Sequence, residues 1–230
     1  VRSRRQRQMC IRDRFSTNAY YLGQLYENWK TYKKAIEYYS TSFKYTNLEK
    51  EKILNLEGLG RCYIQIKSYS EATDTYKSLI HIYDRKKDKV NLKATYNFLF
   101  MISQQQVNHK KMLDYKRDIL LLNELLYDSI DMVSTYNNIG YIYQQLKKPE
   151  KAIRNFDEAI LLNKKITQVD EKEKLLKNLI ININKAFSLH SQGNDKQALI
   201  IYKNTLNKSL KLGDTSQIVK SYNFLGTHYY

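Results

Sequence analysis

The stretch that decides the fold is TYNNIGYIYQQLKKPEKAIRNFDEAILLNKK, residues 135–165. It holds a small residue, Gly140, and an aromatic residue three positions later, Tyr143. A second small residue, Ala152, follows twelve positions after Gly140, and Phe156 stands four positions beyond Ala152. Apolar residues recur at helical spacing before and after the turn sequence KKP, which predicts two helices. The stretch therefore predicts one pair of helices joined by a short turn.

The same four-residue signature occurs twice upstream. Its positions are filled in chain order by Gly23, Tyr26, Ala35 and Tyr39, and then by Gly60, Tyr63, Ala72 and Tyr76. The signature glycines are 37 residues apart and then 80, which is twice 40. Self-similarity at a fixed period indicates a protein of stacked repeats. We expect the small residues to let the two helix backbones approach closely, while the aromatic rings fill the space beside the crossing.

Three further units fit the pattern less completely. One has Phe100 at the small position, and the sixth is cut off before its second helix. The remaining signature residues are Ala159, Ala186, Ala198, Tyr202, Gly226 and Tyr229. The predicted units cover residues 16–50, 51–88, 89–128, 129–169, 170–213 and 214–230. The sequence therefore predicts an all-α fold over residues 15–230, a solenoid of antiparallel helix pairs with about five and a half repeats.

These residues resemble the tetratricopeptide repeat (TPR) family, and the resemblance covers roughly residues 16–230. Units of about 34 residues are usual in the family, and the longer units here resemble a subgroup with extended helices found in bacterial sensors, transcription regulators and cargo adaptors. The resemblance implies that the helix pairs form a right-handed superhelical solenoid. It also implies a non-catalytic scaffold for protein–protein interaction, in which the first helix of each pair lines a concave groove.

Composition sets limits on the other classes of function. The formal net charge is +16, and residues 1–14 (VRSRRQRQMCIRDR) supply +5 of it through six arginines and one aspartate. This segment resembles translated sequencing-adapter sequence, and we expect a non-native or disordered basic tail outside the fold. No stretch approaches the roughly 20 apolar residues of a membrane span. The compartment stays open, with the cytoplasm as the default and the periplasm as a possibility.

No catalytic motif stands out. The sequence lacks a phosphate-binding glycine loop and the HExxH, CxxC and GxSxG motifs, and its four histidines fall in different units without shared spacing. We therefore expect no enzyme activity, no cofactor and no metal site. Cys62 lies beside a signature glycine, which predicts a buried apolar thiol.

A binding groove is the better-defined candidate site. First-helix positions around the small residue are expected to face it. The candidate groove residues are Tyr20, Gln24, Arg61, Asn97, Met101, Gln104, Asn137, Asn138, Tyr141, Gln144, Asn184, Phe187 and Asn223. Asparagines recur at two of these positions, and a ladder of primary amides can hydrogen-bond the main chain of an extended peptide. The predicted function is a scaffold that binds a peptide or protein segment in the concave groove.

Two alternatives remain open from the sequence. The chain can be the sensing segment of a larger bacterial signalling protein, such as a histidine kinase or a transcription regulator with a flanking signalling domain. It can also bind RNA or another polyanion through a basic edge, although nucleic acid is the less favoured partner because the tyrosines occupy packing positions. The lysines of this edge are Lys33, Lys34, Lys110, Lys111, Lys147, Lys148, Lys151 and Lys196.

Overall fold

The computed structural model describes residues 4–213 and 215–226, without the side chains of residues 4–10 and of Phe224. These ranges contain eleven helices and no strand. The helices are α1 (Arg4–Asn28), α2 (Tyr32–Tyr45), α3 (Glu49–Gln65), α4 (Tyr69–Arg85), α5 (Lys89–Gln105), α6 (His109–Leu125), α7 (Ser129–Gln145), α8 (Pro149–Lys165), α9 (Glu171–Ser191), α10 (Asp195–Leu212) and α11 (Thr215–Gly226). The predicted fold class, all-α and built from successive helix pairs, is confirmed.

The helices form two compact units, Val1–Val107 and Asn108–Tyr230. The first unit contains α1 to α5 and the second α6 to α11, and within each unit every helix packs against the next one along the chain. The division falls inside the predicted third repeat, where Phe100 replaces the small residue. Helix α1 begins at Arg4, so its backbone includes residues 4–14, which the sequence analysis placed outside the fold.

Tight turns join the helices and leave little freedom in how each pair closes. Between α3 and α4, Lys67 adopts a left-handed φ of 61°, and the backbone N–H of Ser68 donates to the carbonyl of Tyr63 at 2.9 Å. This bond satisfies one of the carbonyls left open at the end of a helix. The same left-handed position recurs in other turns at Lys30, Lys87, Val107, Tyr127, Lys147 and Gly193.

The signature glycines make room for an aromatic ring of the following helix. A Cβ added at Gly140 would lie 2.6 Å from Cε1 of Phe156, sixteen residues later, and the other two nearest atoms belong to the same ring. Gly23 with Tyr39 and Gly60 with Tyr76 repeat this arrangement. The aromatic ring of the following helix therefore fills the space beside each of these glycines, as the sequence analysis expected of the aromatic residues.

The other signature positions form the centre of each helix pair. Fully or almost fully buried are Ala35, Tyr39, Ala72, Tyr76, Ala152, Phe156, Ala159, Ala186, Ala198 and Tyr202. Tyr143 is also buried, whereas Tyr26 and Tyr63 are half-buried and Gly226 is exposed. Tyr229 lies outside the described residues.

A buried polar position, not anticipated from the sequence, recurs near the end of each second helix. It stands eleven residues after the small position of the second helix, which is Ala35 in α2 and Ala152 in α8. It is occupied by Thr46, Tyr83, Asn123, Asn163 and Ser209. Thr46 donates to Glu51 at 2.6 Å, and the Asn163 amide donates to Asn178 Oδ1 at 2.9 Å. These bonds link the end of one pair to the first helix of the next.

Candidate functional site

The most developed surface in the second unit lies along α7 and α9. Three cavities occur there, of about 430, 240 and 230 Å³. We call the surface that they form the amide groove. Its lining side chains come from the two helices and from the turn into α8: Val133, Ser134, Asn137, Asn138, Tyr141, Gln144, Gln145, Lys147, Pro149, Lys177, Ile180, Ile181, Ile183, Asn184, Phe187, Ser188 and Ser191. Six of the candidate groove residues predicted from the sequence are thus brought together.

Three of these predicted residues are held by hydrogen bonds to one another. The Asn184 side-chain amide donates to Asn137 Oδ1 at 3.1 Å. The Gln144 amide donates to the Asn184 carbonyl and to the Ser188 hydroxyl, both at 3.2 Å. These bonds cross from α7 to α9 and fix the orientation of the amides. Part of the predicted asparagine ladder is therefore an internal network between the two helices.

Other polar groups of the amide groove keep their hydrogen-bonding capacity. Among the described residues, the side chains of Asn138, Tyr141 and Gln145 make no hydrogen bond with another protein group. Tyr141 is 48% exposed and Gln145 is exposed, whereas Asn138 is half-buried. These three side chains can exchange hydrogen bonds with a ligand without breaking a bond of the protein.

The amide groove carries a small positive charge. No carboxylate is among the side chains that line the three cavities, and the cations are Lys147 and Lys177. Lys177 already pairs with Glu173 at 2.8 Å. Apolar groups from Phe187, Ile180 and their neighbours complete the walls.

In the first unit, the predicted groove residue Arg61 is occupied by an ion pair. Its Nε and Nη2 donate to the two carboxylate oxygens of Glu27 at 2.7 and 3.0 Å, and the Tyr39 hydroxyl donates to the same carboxylate at 2.6 Å. A bidentate pair of this kind fixes a guanidinium in one orientation. Arg61 thus links α3 to α1, a role that the sequence analysis did not foresee.

The pKa values in this cluster follow from the same contacts. Burial acts to raise the pKa of Glu27, but hydrogen bonds from Arg61 and Tyr39 outweigh it and leave that pKa below its ordinary value. Burial, reinforced by the bond to Glu27, raises the pKa of Tyr39. The hydrogen bonds to Glu27 raise the pKa of Arg61. Glu27 is therefore ionised, and Tyr39 and Arg61 stay protonated, across the physiological range.

Two further cavities of the first unit share Arg61 and Phe98. The larger, about 420 Å³, includes the predicted residue Met101, and the smaller, about 200 Å³, includes Glu57. Glu57 accepts a hydrogen bond of 2.6 Å from Tyr83. Phe98 stacks on the buried ring of Tyr76 with centroids 4.8 Å apart, so this first-helix residue also packs against the core. Unlike the amide groove, these cavities are lined by both carboxylates and cations.

The remaining predicted groove residues lie outside these cavities. The Gln24 amide donates to the Tyr20 hydroxyl at 2.9 Å, and Tyr20 also packs against the buried cluster around Tyr39. Asn97 is half-buried on α5, and Gln104 is exposed on the same helix. Asn223 is exposed on α11, and none of the five cavities described above includes it.

Chemistry-bearing groups elsewhere are few. Cys62 is fully buried, and burial raises the pKa of its thiol to about 12. No group of three or more His, Cys, Asp and Glu side chains that could hold a metal ion occurs among the described residues. Within the same residues, no helix has the length and hydrophobicity needed to cross a bilayer.

Family models identify the repeat in both compact units. Models of the tetratricopeptide repeat match residues 19–47 and residues 133–165. The first range covers parts of α1 and α2, and the second covers most of α7 and α8. Both ranges therefore carry a tetratricopeptide repeat. No curated protein matches the sequence of this chain.

Solved structures share the fold of this chain at low sequence identity. BtubC from P. vanneervenii is 15% identical, with a TM-score of 0.63 over 93% of this chain and 94% of its own. YrrB, described as a TPR protein with an unusual peptide-binding site, is 13% identical, with a TM-score of 0.58 over 89% of this chain and 90% of its own. A Rap protein solved in complex with competence and sporulation factor is 16% identical, with a TM-score of 0.54 over 88% of this chain and 56% of its own.

Proposed function

We propose that the amide groove binds an extended segment of a partner protein. The observation that carries the proposal is the pairing of two kinds of side chain along α7 and α9. Asn137, Gln144 and Asn184 are held in place by their own hydrogen bonds. The side chains of Asn138 and Tyr141, beside them, make no hydrogen bond within the described residues. Such a surface loses little conformational entropy on binding, because part of it is already ordered.

The spacing of these groups suits an extended chain. Tyr141 and Gln145 are separated by one helical turn, a rise of about 6 Å at 1.5 Å per residue. Alternate residues of an extended strand are about 6.6–6.8 Å apart. A segment lying along α7 can therefore present every second residue to successive positions of the helix. Side-chain amides, each with a donor and an acceptor, are suited to both groups of its main chain.

The lining of the groove also selects the class of segment. Since no carboxylate is among the cavity-lining side chains, a lysine-rich or arginine-rich segment has no ion-pair partner there. The apolar walls around Phe187 and Ile180 favour aliphatic or aromatic side chains. We therefore propose an uncharged or acidic segment with apolar residues at alternate positions. The shared fold of YrrB and the Rap protein, one with a described peptide-binding site and one solved with a bound factor, supports this mode of binding.

A peptide selection tests the proposal directly. Phage-displayed random peptides are selected on the whole chain, and the enriched peptides are measured by fluorescence anisotropy. We expect Asn138→Ala and Tyr141→Ala each to weaken binding by about tenfold, roughly 1.4 kcal/mol. The melting temperature should not change, because neither side chain makes an intramolecular hydrogen bond. Asn204→Ala, at an exposed asparagine on α10, is the matched control.

If Asn138→Ala and Tyr141→Ala both bound the selected peptides as tightly as the unchanged chain, the proposal would be contradicted. Replacing Asn137, Asn138 and Asn184 together by alanine would be less informative, because it also removes the hydrogen bond from Asn184 to Asn137 that joins α9 to α7. The signalling-segment and polyanion alternatives stay predictions. The downstream reading frame decides the first, and salt-dependent retention of a variant lacking residues 1–14 on a nucleic-acid column decides the second.

A further inference from the structure

The two ends of the amide groove differ in charge. At the end lined by Asn137 and Asn138, the cation is Lys177, and its ammonium pairs with Glu173 at 2.8 Å. At the other end, Lys147 is the only charged side chain of the described residues that lines the cavity of about 430 Å³. Lys147 is exposed, and its side chain forms no ion pair or hydrogen bond with the described residues. We call this space the Lys147 cavity.

The charges around the Lys147 cavity do not neutralise its lysine. Two carboxylates stand in the first turns of the helices that follow, Glu150 in α8 and Asp195 in α10, and neither lines the cavity. Asp195 lies 2.7 Å from the ring of the histidine in α9. Glu150 is exposed between two further exposed lysines, Lys148 and Lys151. The local excess of charge is therefore positive.

Helix ends add partial charges of both signs to this end of the groove. The C-terminal ends of α7 and α9 each carry about half a negative charge, and the N-terminal ends of α8 and α10 each carry about half a positive charge. Helix α8 begins four positions after the end of α7, and α10 begins four positions after the end of α9. Neighbouring ends therefore largely cancel, and the full charge of Lys147 decides which ions the cavity favours.

Neutral groups complete the Lys147 cavity. The Gln145 side chain is exposed and makes no hydrogen bond with the described residues, so its amide can donate to a ligand. The Gln144 amide is held by its bonds to α9, and Phe187 adds an apolar wall. A cation beside an amide donor, with no carboxylate in the lining, is suited to a carboxylate of the ligand.

We propose that the segment bound in the amide groove carries an aspartate or glutamate whose side chain contacts Lys147, and that Lys147 determines this preference. The inference rests on the proposed function and adds the chemical class and the placement of one residue of the segment. The acidic residue lies at the end of the groove next to α8. The end near Asn138 has no such preference, because its cation is already paired.

A side chain of the segment fits this contact better than its terminal carboxylate does. Terminal carboxylates are commonly captured by free backbone N–H groups. In the turn from α7 to α8, the N–H groups of Leu146, Lys147 and Lys148 all donate to carbonyls of α7. Pro149, the next residue, has no N–H. The turn itself therefore has no backbone donor left for a chain terminus.

A charge-reversal selection tests the inference with the whole chain. Random peptides displayed on phage are selected in parallel on the unchanged chain, on Lys147→Glu and on Lys203→Glu. The control Lys203→Glu changes the net charge equally, at an exposed lysine of α10 that lines none of the three groove cavities. We expect an acidic residue at one enriched position on the unchanged chain and on the control, and a basic residue there on Lys147→Glu. Acidic residues that Lys147→Glu still selects at this position would overturn the inference.

Affinities of single peptides give a second measurement. Selected peptides are synthesised with both ends blocked, so that side chains supply their only carboxylates, and are measured by fluorescence anisotropy. Replacing the acidic residue by its amide should weaken binding to the unchanged chain by about fivefold, as for an exposed ion pair. The difference should shrink at high salt and disappear in Lys147→Gln. Peptides that bind only with a free C-terminus would assign the contact to the terminal carboxylate and overturn the side-chain assignment.

The groove variants separate failure of this inference from failure of the proposed function. If the unchanged chain binds the acid and amide peptides equally, while Asn138→Ala still weakens both, the role of Lys147 is overturned and the groove stands. If Asn138→Ala and Tyr141→Ala leave the binding of every selected peptide unchanged, the proposed function fails and this inference fails with it.

Discussion

Replacing Gly140 by alanine should destabilise the second compact unit, although alanine is the better helix former. The substitution gains about 1 kcal/mol of helix propensity. It also places a Cβ 2.6, 2.8 and 2.9 Å from three atoms of the Phe156 ring. Real Cβ atoms do not approach so closely, so the ring or the helix has to move. Overpacking a filled core costs about 1–3 kcal/mol. Because Phe156 is fully buried and has little room to shift, we expect a net loss of about 1–2 kcal/mol.

The assay combines urea unfolding, followed by circular dichroism, with amide hydrogen exchange in α7 and α8. Exchange is informative because neighbouring repeats unfold in segments, so a local loss of stability need not move the whole transition. Gly226→Ala is the matched control, since a Cβ there meets no atom of the described residues within 4 Å. We expect that control to be neutral or slightly stabilising.

A double-mutant cycle identifies the Phe156 ring as the cause. Phe156→Leu should lower stability by itself but remove most of the penalty of Gly140→Ala, which gives a coupling of about 1–2 kcal/mol between the two sites. A Gly140→Ala variant as stable as the unchanged chain would refute the reasoning. An equal penalty in the presence and absence of the ring would do the same, because it would place the cost in the backbone.

Three other predictions concern the first compact unit. The pKa of Glu27 in the folded protein lies below its ordinary value of 4.5. The stability that Glu27 contributes is therefore fully present above pH 4.5 and is lost as the pH falls through the pKa of the folded state. Glu27→Gln should make the free energy of unfolding less dependent on pH in the acid range. Lys67 adopts a left-handed conformation, so Lys67→Gly should raise the free energy of unfolding by up to about 1 kcal/mol, whereas Lys77→Gly, inside α4, should lower it by about 1 kcal/mol in the same urea titration. Cys62 is fully buried with a pKa of about 12, so in a Cys10→Ser variant the thiol should react with iodoacetamide far more slowly in buffer than in urea; equal rates would contradict its burial.

The sequence was sufficient for the helices because their signal is local. Spacing of apolar residues, the turn before Pro149 and the recurring glycines all act within one helix pair. The burial of Ala152 and Phe156 follows from the same pattern, since the repeat fixes which face of each helix points inward. The register even predicts which residues of α7 and α9 share a surface, and Asn138 and Asn184 do line neighbouring cavities of the amide groove.

The side-chain pairings could not be predicted in the same way. Arg61 and Glu27 are 34 residues apart, and Asn184 and Asn137 are 47 apart. Whether such groups meet depends on the crossing angle and offset of two helices, which a periodic pattern does not specify to within a hydrogen-bond length. The contact between Gly58 and the Tyr39 ring was missed for a related reason. Gly58 lies two residues before the signature glycine, where the other units have larger residues.

These pairings change how the predicted groove residues should be interpreted. The repeat pattern selects positions that face a groove. A side chain that already forms an ion pair or hydrogen bonds within the protein must break them before it can bind a partner. Arg61 would have to leave the Glu27 carboxylate, and because the guanidinium is partly exposed the loss is about 1 kcal/mol. Asn138 and Tyr141 break none. Alanine at Arg61 should therefore act first on the stability of α1 against α3, and alanine at Asn138 on affinity. The difference between the two classes lies in the hydrogen bonds and not in the repeat position.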